Sequence, residues 1–356
     1  MFLTNNSTAA IDISTSAVKW LELAQIQGRI HITHCGIEPL PPDTFDNKNT
    51  FDTNTIAETL RRCQKRIKSK TRKAVIALPD HAVIQKRVHL PADLDHLAAE
   101  SYLYLHGDQY FPFPAVDAAL DFILHGPSRH HPRQQKATLY IAHQTLIDER
   151  CALLSAAGLQ ANAIDIVSLA TLNAIAIIDI QQAQQTLTKQ CIAVVDIGAV
   201  YTNTTIIHCG NLYFHRAQRF GGKQLTEAVM RHFGMSYKEA GIAKQNGDLP
   251  ARYTSEVLQP FQYTLIQNLK HCIDIYRNTN GPEPQQILLA GGCANIPSID
   301  QAVHRALGIN TRVLNPIMGF QCSDPHVDRD MLLRNGSALL VAVGLASRDI
   351  VNTMHR

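Results

Sequence analysis

The chain of 356 residues is poor in charge, and the charge it has nearly cancels: Asp, Glu, Lys and Arg make up 18% of it, and the net charge is +3. So small a balance gives no sign of a nucleic-acid partner. Long apolar runs are also missing. The longest near the end, "ALLVAVGLA" (338–346), is about half of the roughly 20 residues a membrane span needs, and reads as a buried helix. The opening "MFLTNNSTAAIDIS" has neither a basic n-region nor a long apolar stretch, so no secretory signal peptide is expected. The eight cysteines show no C-x-x-C and no paired histidine spacing, which argues against both a zinc site and a disulfide framework. Cys191 and Cys272 sit inside apolar runs and read as reduced core thiols of a reducing cytoplasm. His130-His131 is a lone pair in a polar stretch and reads as surface loop. The expectation is a soluble protein that meets a membrane only indirectly, through a partner.

What is present is core-forming material. Hydrophobic residues make up 45% of a chain longer than one ordinary core holds, which predicts two domains or a split domain. The start reads as a meander, "AAIDI", "AVKWLELAQI" and "GRIHITHCGIEPL", with a turn at Gln27-Gly28 and a proline cluster to end it. Next, Ile56, Leu60, Cys63 and Ile67 fall on one helical face. The stretch from Arg61 to Lys73 holds eight Lys/Arg and no acid. Such a stripe suits phosphate or lipid, but no aromatics interleave with the charges, and a solvated helix face is the reading preferred. "KAVIALP" (73–79) is a buried strand and "AVIQKRVHLP" (82–91) a half-exposed one. A helix over about 93–107 is expected to be capped by Asp93. "KATLYIAH" is a strand, and "QTLIDERCALLSAAGL" a helix stopped at Gly158. A Gln-rich linker spans 181–190.

One pattern occurs twice. "AAIDISTSAVKWLEL" and "AVVDIGAVYTNTTII" both run apolar strand, Asp-Ile, small-residue turn, second strand, with Asp12 and Asp196 in corresponding places. Two such hairpins facing across a cleft offer backbone N–H groups and hydroxyls to phosphates from both sides. Their carboxylates are then placed to hold a hydrated Mg²⁺, a hard cation that keeps its waters. A third element, "QQILLAGGCANIPSID" (285–300), reads as a buried strand, a Gly291-Gly292 turn and a helix opened near Pro297. Glycines between strand and helix let a base or phosphate approach the backbone.

In order and form these motifs resemble those of the actin/Hsp70/sugar-kinase ATPase superfamily. Within it the chain resembles the PilM family, cytoplasmic actin-like proteins of type IV pilus assembly related to the division protein FtsA. The matching stretches are "DISTSAVKWLEL", "YFPFPAVDAALDF", "VDIGAVYTN", "RFGGKQLTEAV", "GDLPARY", "LAGGCANIPSID" and "ALLVAVGLASRD", and they span essentially the whole chain. "YFPFP" and "FGGKQLT" discriminate most, because the wider superfamily lacks them.

The resemblance implies an α/β fold, the actin-like ATPase fold, with two domains flanking a nucleotide cleft and an FtsA-type 1C subdomain. The first domain would take 1–80, the inserted 1C subdomain 80–157, the rest of the first domain 158–190, the second domain 191–335, and a returning C-terminal helix 336–356. It implies ATP or ADP with Mg in the cleft. Asp12, Ser14, Thr15, Ser16 and Lys19 would serve phosphate-1, and Asp196, Gly198, Ala199 and Thr202 phosphate-2. Gly221, Gly222 and Lys223 would lie near the nucleotide, Lys244 toward the ribose, and Gly291 and Gly292 under the adenine; Asp12 and Asp196 would hold Mg through water. It implies a scaffold that binds the cytoplasmic N-terminal peptide of the inner-membrane protein PilN in a groove between subdomains 1A and 1C. Leu97, Tyr102 and Tyr104 are the candidate groove residues. Pilus motor and platform proteins and a homo-oligomer are the further partners the resemblance allows, at the cytoplasmic face of the bacterial inner membrane.

Three positions depart from the superfamily pattern. Ser14 replaces a glycine of phosphate-1. Val167 stands where relatives often place a Glu that positions the attacking water, which matters because phosphoryl transfer depends mostly on positioning. Gly241 replaces an acidic ribose contact three residues before Lys244. These departures weaken hydrolysis more than binding, so nucleotide is expected as a structural ligand with weak turnover or none. Two rivals remain. A small-molecule kinase on the same fold needs a base for a substrate hydroxyl, and none presents itself outside the two aspartates. An FtsA-like filament protein needs a terminal amphipathic anchor, and "SRDIVNTMHR" is too poor in apolar residues for one.

Overall fold

The computed structural model describes residues 8–42, 44–45, 51–127, 131–182, 186–322 and 327–354. His130 and residues 183–185 of the Gln-rich linker lie outside the described residues, as do residues 1–7 and 355–356. The strands are β1 (Ala9–Ile13), β2 (Ala17–Ile26), β3 (Arg29–Pro39), β4 (Lys73–Leu78), β5 (Val83–Pro91), β6 (Ala118–Pro127) and β7 (Gln134–His143). They continue with β8 (Gln160–Ile166), β9 (Cys191–Ile197), β10 (Thr202–His208), β11 (Asn211–Gln218), β12 (Gln286–Ala290), β13 (Asn310–Val313) and β14 (Gln321–Cys322).

The repeat seen in the sequence is a repeat of topology. One sheet has the order β14-β3-β2-β1-β4-β8 and a second the order β11-β10-β9-β12-β13. In each, a three-strand meander is followed by two strands parallel to its first member. The helices Val167–Gln181 and Leu340–Met354 supply an apolar layer, with Ile175, Ile178, Leu340 and Val343, that packs with Leu21 and Val75 of one sheet and Val194 and Leu288 of the other. That layer is why "ALLVAVGLA" is buried. The two helices touch so closely that a Cβ on Gly344 would meet the backbone carbonyl of Ala170. Each sheet's other face is closed by two helices, Thr53–Arg66 and Gln144–Ala156 on the first, Gln259–Arg277 and Ile299–Leu307 on the second. Cys191 and Cys272 are buried, as their apolar settings required.

A third sheet, β5-β7-β6, follows β4 in the chain and precedes β8. The helix His96–Leu105 covers one face of it, with Ala99 and Leu103 packed on Leu90, Phe122, Leu139 and Ile141. This helix begins later than expected. The chain turns over Pro91–Leu94, where Leu94 N–H bonds to Pro91 O, so the cap falls to Asp95, whose Oδ1 accepts from Ala98 N at 2.8 Å. Asp93 lies inside the turn. The run before Val167 is a strand: "QANAIDI" extends the first sheet as β8, and the helix starts at Val167.

Candidate functional site

Both duplicated hairpins end in turns that are tied to themselves. In the first, Ser14 N–H and Ser14 Oγ both donate to Ala17 O, at 3.0 and 2.9 Å, closing Ser14-Thr15-Ser16 into a tight loop. The serine that replaces the expected glycine thus spends its hydroxyl inside its own turn. Asp12 and Lys19 are cross-strand partners on the same face, and Lys19 Nζ donates to Asp12 Oδ2 at 2.7 Å with both side chains nearly buried.

In the second hairpin, Gly198 N–H bonds to Tyr201 O at 2.9 Å, and the carbonyls of Gly198 and Ala199 accept from Gly222 and Lys223 N–H at 3.0 and 2.7 Å. The turn after Asp196 is therefore stitched to the start of the helix Gly222–Phe233. Thr202 Oγ1 fastens the same junction through Phe220 O at 2.7 Å. A Cβ on Gly221 would lie 2.5 Å from Gly198 O and 2.7 Å from Ala199 O, so only glycine fits. Lys223 is exposed, while Lys244 is turned in, with Nζ 2.7 Å from Thr226 Oγ1 and 3.4 Å from Gly222 O. Burial pulls the Lys244 ammonium below its ordinary value.

The third element closes against the second. Gly291 has φ +89°, and a Cβ there would collide with Asp196 Oδ1 and Ile197 O. Its N–H bonds to Ser337 O at 2.8 Å, and Gly292 opens a single 3₁₀ turn, Gly292–Asn295. Cys293 is a member that sequence reasoning missed: its Sγ lies 3.5 Å from Gly198 O and occupies the space where a Gly222 Cβ would go. No local pattern marks it, since its partners come from another hairpin.

Electrostatically the two halves converge on one cation. Burial pushes Asp196 up to about 6, Lys19 pulling it down and Asp12 pushing it further up. Lys19 is held above its ordinary value: burial opposes this, and the charges of Asp12 and Asp196 outweigh it. Among the described residues no cluster of three or more metal-ligating side chains occurs. Two hard oxygen donors, Asp12 before a Ser-Thr-Ser turn and Asp196 beside Gly198 and Gly291, nonetheless match a hydrated Mg²⁺ that would take its remaining ligands from water and phosphate. Of the other departures, Val167 heads its helix and packs on the apolar layer, and the space around Gly241 is open. Neither position bears a carboxylate.

The candidate groove residues stand elsewhere. Leu97 is 73% exposed. Tyr102 stacks on His106 at 4.1 Å, and Tyr104 meets Phe111 edge-on at 5.8 Å. All three belong to the helix on the covered face of the small sheet. The opposite face lines a cavity of about 390 Å³, walled by Gln85, Arg87 and Tyr140, by Asp80 and Ser168 of the first half, and by β11 of the second through Leu212–His215. His215 Nε2 lies 3.3 Å from Asp80 Oδ2, and that oxygen accepts a hydrogen bond from Ser168 N–H at 3.1 Å. Burial lowers the His215 imidazole and raises the Tyr140 phenol to about 12, the latter opposed by Arg87 and reinforced by Asp121, Asp165 and Asp80. In the sequence only the alternation of "VIQKRV" hinted at this face.

A family profile described as type IV pilus assembly protein PilM matches residues 10–350. The chain belongs to the PilM family. A solved PilM-PilN type IV pilus biogenesis complex contains a chain with the same fold, at TM-score 0.78 and 22% identity over 96% of this chain and 98% of that one. EutJ, an ethanolamine utilization protein from Carboxydothermus hydrogenoformans, is similar at TM-score 0.55 and 13% identity, covering 97% of this chain and 90% of that one. MreB5 of Spiroplasma citri bound to AMPPNP gives TM-score 0.51 and 13% identity, with 99% and 98% covered. The fold is the actin-like ATPase fold. Among the described residues no helix is long and apolar enough to cross a membrane.

Proposed function

We propose that the chain is an actin-like nucleotide-binding scaffold of type IV pilus assembly that takes ATP or ADP with Mg²⁺ between its two halves and binds the cytoplasmic N-terminal peptide of PilN. The observation that carries the nucleotide reading is the convergence of Asp12 and Asp196, from separate hairpins, on Lys19. Asp12 and Asp196 would hold Mg²⁺ through water. Ser14, Thr15, Ser16, Gly198, Ala199 and Thr202 would line the phosphates, Gly221, Gly222 and Lys223 would lie near the nucleotide, Lys244 toward the ribose, and Gly291 and Gly292 under the base. The bound Mg²⁺ would neutralise phosphate charge. With Val167 in place of a water-positioning acid, hydrolysis is weak or absent, and nucleotide acts by stabilising the joined halves through mass action. The first sheet with its central helices and the second sheet form the two domains, and the small sheet the inserted 1C subdomain, with the boundaries read from the sequence.

The solved PilM-PilN complex supports PilN as partner. The cavity beside Tyr140 offers an extended peptide a polar floor between the edge strands β5 and β11, a setting suited to strand-like recognition. Through that peptide the chain would sit at the cytoplasmic side of the inner membrane and link the alignment complex to the assembly motors. The test is calorimetric titration with a synthetic PilN N-terminal peptide, with and without Mg·ATP. Binding that Tyr140→Ala abolishes and Leu97→Glu spares puts the peptide in the cavity; the reverse puts it on the helix His96–Leu105. No binding in either nucleotide state overturns the scaffold reading.

A further inference from the structure

The basic stretch Arg61–Lys73 is displayed by a device buried beneath it. Glu22, 1% exposed, accepts from Trp20 Nε1 at 2.8 Å, from Thr71 Oγ1 at 2.9 Å and from Ser69 Oγ. Gln64 Nε2 donates to Thr71 O at 2.7 Å, and Ser69 N–H to Gln64 O at 3.2 Å. Lys68 takes the left-handed conformation, φ +58°, that lets the chain reverse here. With Ser69 and Thr71 drawn inward, Lys68, Lys70, Arg72 and Lys73 all stand exposed, next to Arg61 and Lys65 on the last turns of the helix. Arg61 and Arg72 are aimed by bonds to Ala156 O and Gly158 O.

Glu38 neutralises Arg62 and Arg66 at 2.7 and 3.0 Å. No carboxylate among the described residues forms an ion pair with the other six cations, which together exceed the whole chain's net charge of +3. Without these six cations the rest of the chain sums to a formal charge of −3, so the chain's positive surplus lies on this one face.

We propose that this face docks directly on the anionic surface of a lipid bilayer. Three features select that occupant. No large apolar side chain is exposed between residues 53 and 73, so the face lacks the anchors a protein interface concentrates its energy on. The segment 61–73 contains no aromatic residue, so it has no platform for stacking bases. Its cations line neither of the described cavities, so they suit a charged plane, where each Lys or Arg adds its own attraction, better than one enclosed phosphate. The pinned turn means that little order is lost on docking. This contact would act beside any partner peptide and would not depend on it.

The experiment is flotation of the full chain with vesicles of phosphatidylglycerol and phosphatidylethanolamine, with pure phosphatidylcholine vesicles as control. Binding is expected only to the anionic vesicles, and it should fall steeply between about 0.05 M and about 0.5 M salt as the Debye length shortens. The triple variant K68E/K70E/R72E should lose about a hundredfold in partition, since each cation contributes separately. A matched triple on other exposed cations, K238E/K270E/R305E, has the same net charge and should lose far less. Unchanged melting of both variants shows that they fold. Equal binding to both lipids, or equal loss in the two triples, overturns the proposal. So does failure to float when the same face captures a polyglutamate peptide or single-stranded DNA, which would make the occupant an acidic polymer.

Discussion

Lys19 Nζ sits 2.7 Å from Asp12 Oδ2 on its own hairpin, and its charge reaches Asp196 at the tip of the other. One ammonium thus balances two carboxylates that the duplicated topology brings together. Lys19→Met should remove that balance. It leaves Asp12 buried without its partner, a loss of about 3 kcal/mol for a pair this enclosed. Mg·ATP affinity should drop at least about tenfold as a charged contact goes. Asp12→Asn added to Lys19→Met should recover stability in denaturant melts without recovering nucleotide affinity in titrations. Recovery of both would show that the pair is structural only.

Asp196 gives the apo protein a pH signature. Its carboxyl titrates near 6 when folded, because burial disfavours the charge, against an ordinary value of 3.8. The folded state therefore takes up a proton before the unfolded state does, so stability falls as pH rises through the window from about 4 to about 6. Urea midpoints across that window should show the slope in the wild type, and Asp196→Asn should flatten it. If the slope persists in the variant, another group owns it.

Glu22 works in the opposite sense at lower pH. Burial pushes its carboxyl up, but His34, Ser69 and Trp20 together overcome that, and the net shift is below 4.5. A depressed acid stabilises the fold above its unfolded value and loses that contribution as pH falls through the folded one. Stability should accordingly decline on acidification below about 4.5, and Glu22→Gln should weaken the protein at neutral pH while flattening the acid limb. Equal acid limbs in the wild type and Glu22→Gln would refute the assignment.

Gly291 tests the cradle. With φ +89° and no room for a Cβ beside Asp196 and Ile197, Gly291→Ala should cost about 2 kcal/mol in strain. It should also displace the Asp196 side chain, so nucleotide affinity should fall more than stability explains. Gly241→Ala is the internal control, since its Cβ would meet nothing within 4 Å. Thermal melts and nucleotide titrations of the two variants should diverge sharply; similar behaviour would remove the cradle argument.

Much of this fold is legible locally. Alternation and turn chemistry mark the hairpins, the spacing of Ile56, Leu60, Cys63 and Ile67 marks a buried helical face, and all four are buried. Asp12, Asp196 and Gly291 are readable because each terminates an apolar strand at a small-residue turn. The cap of the helix His96–Leu105 was less so: Asp93 and Asp95 are equivalent as residues, and a turn bond from Leu94 to Pro91 decides between them. β8 was hidden because "AIDI" runs without a break into the apolar helix that follows.

By itself, then, the sequence determined the elements, the duplication and the identity of the charged turns, because these depend on backbone preferences and side chains within a few residues of one another. Tertiary structure alone decided what the turns face. The approach of Lys19 to Asp196, the entry of Cys293 beside Gly222, and the cavity shared by Tyr140, Asp80 and His215 all join segments tens of residues apart or more. Those meetings follow from sheet order and from the close-packed apolar layer of Val167–Gln181 and Leu340–Met354, which meets both sheets.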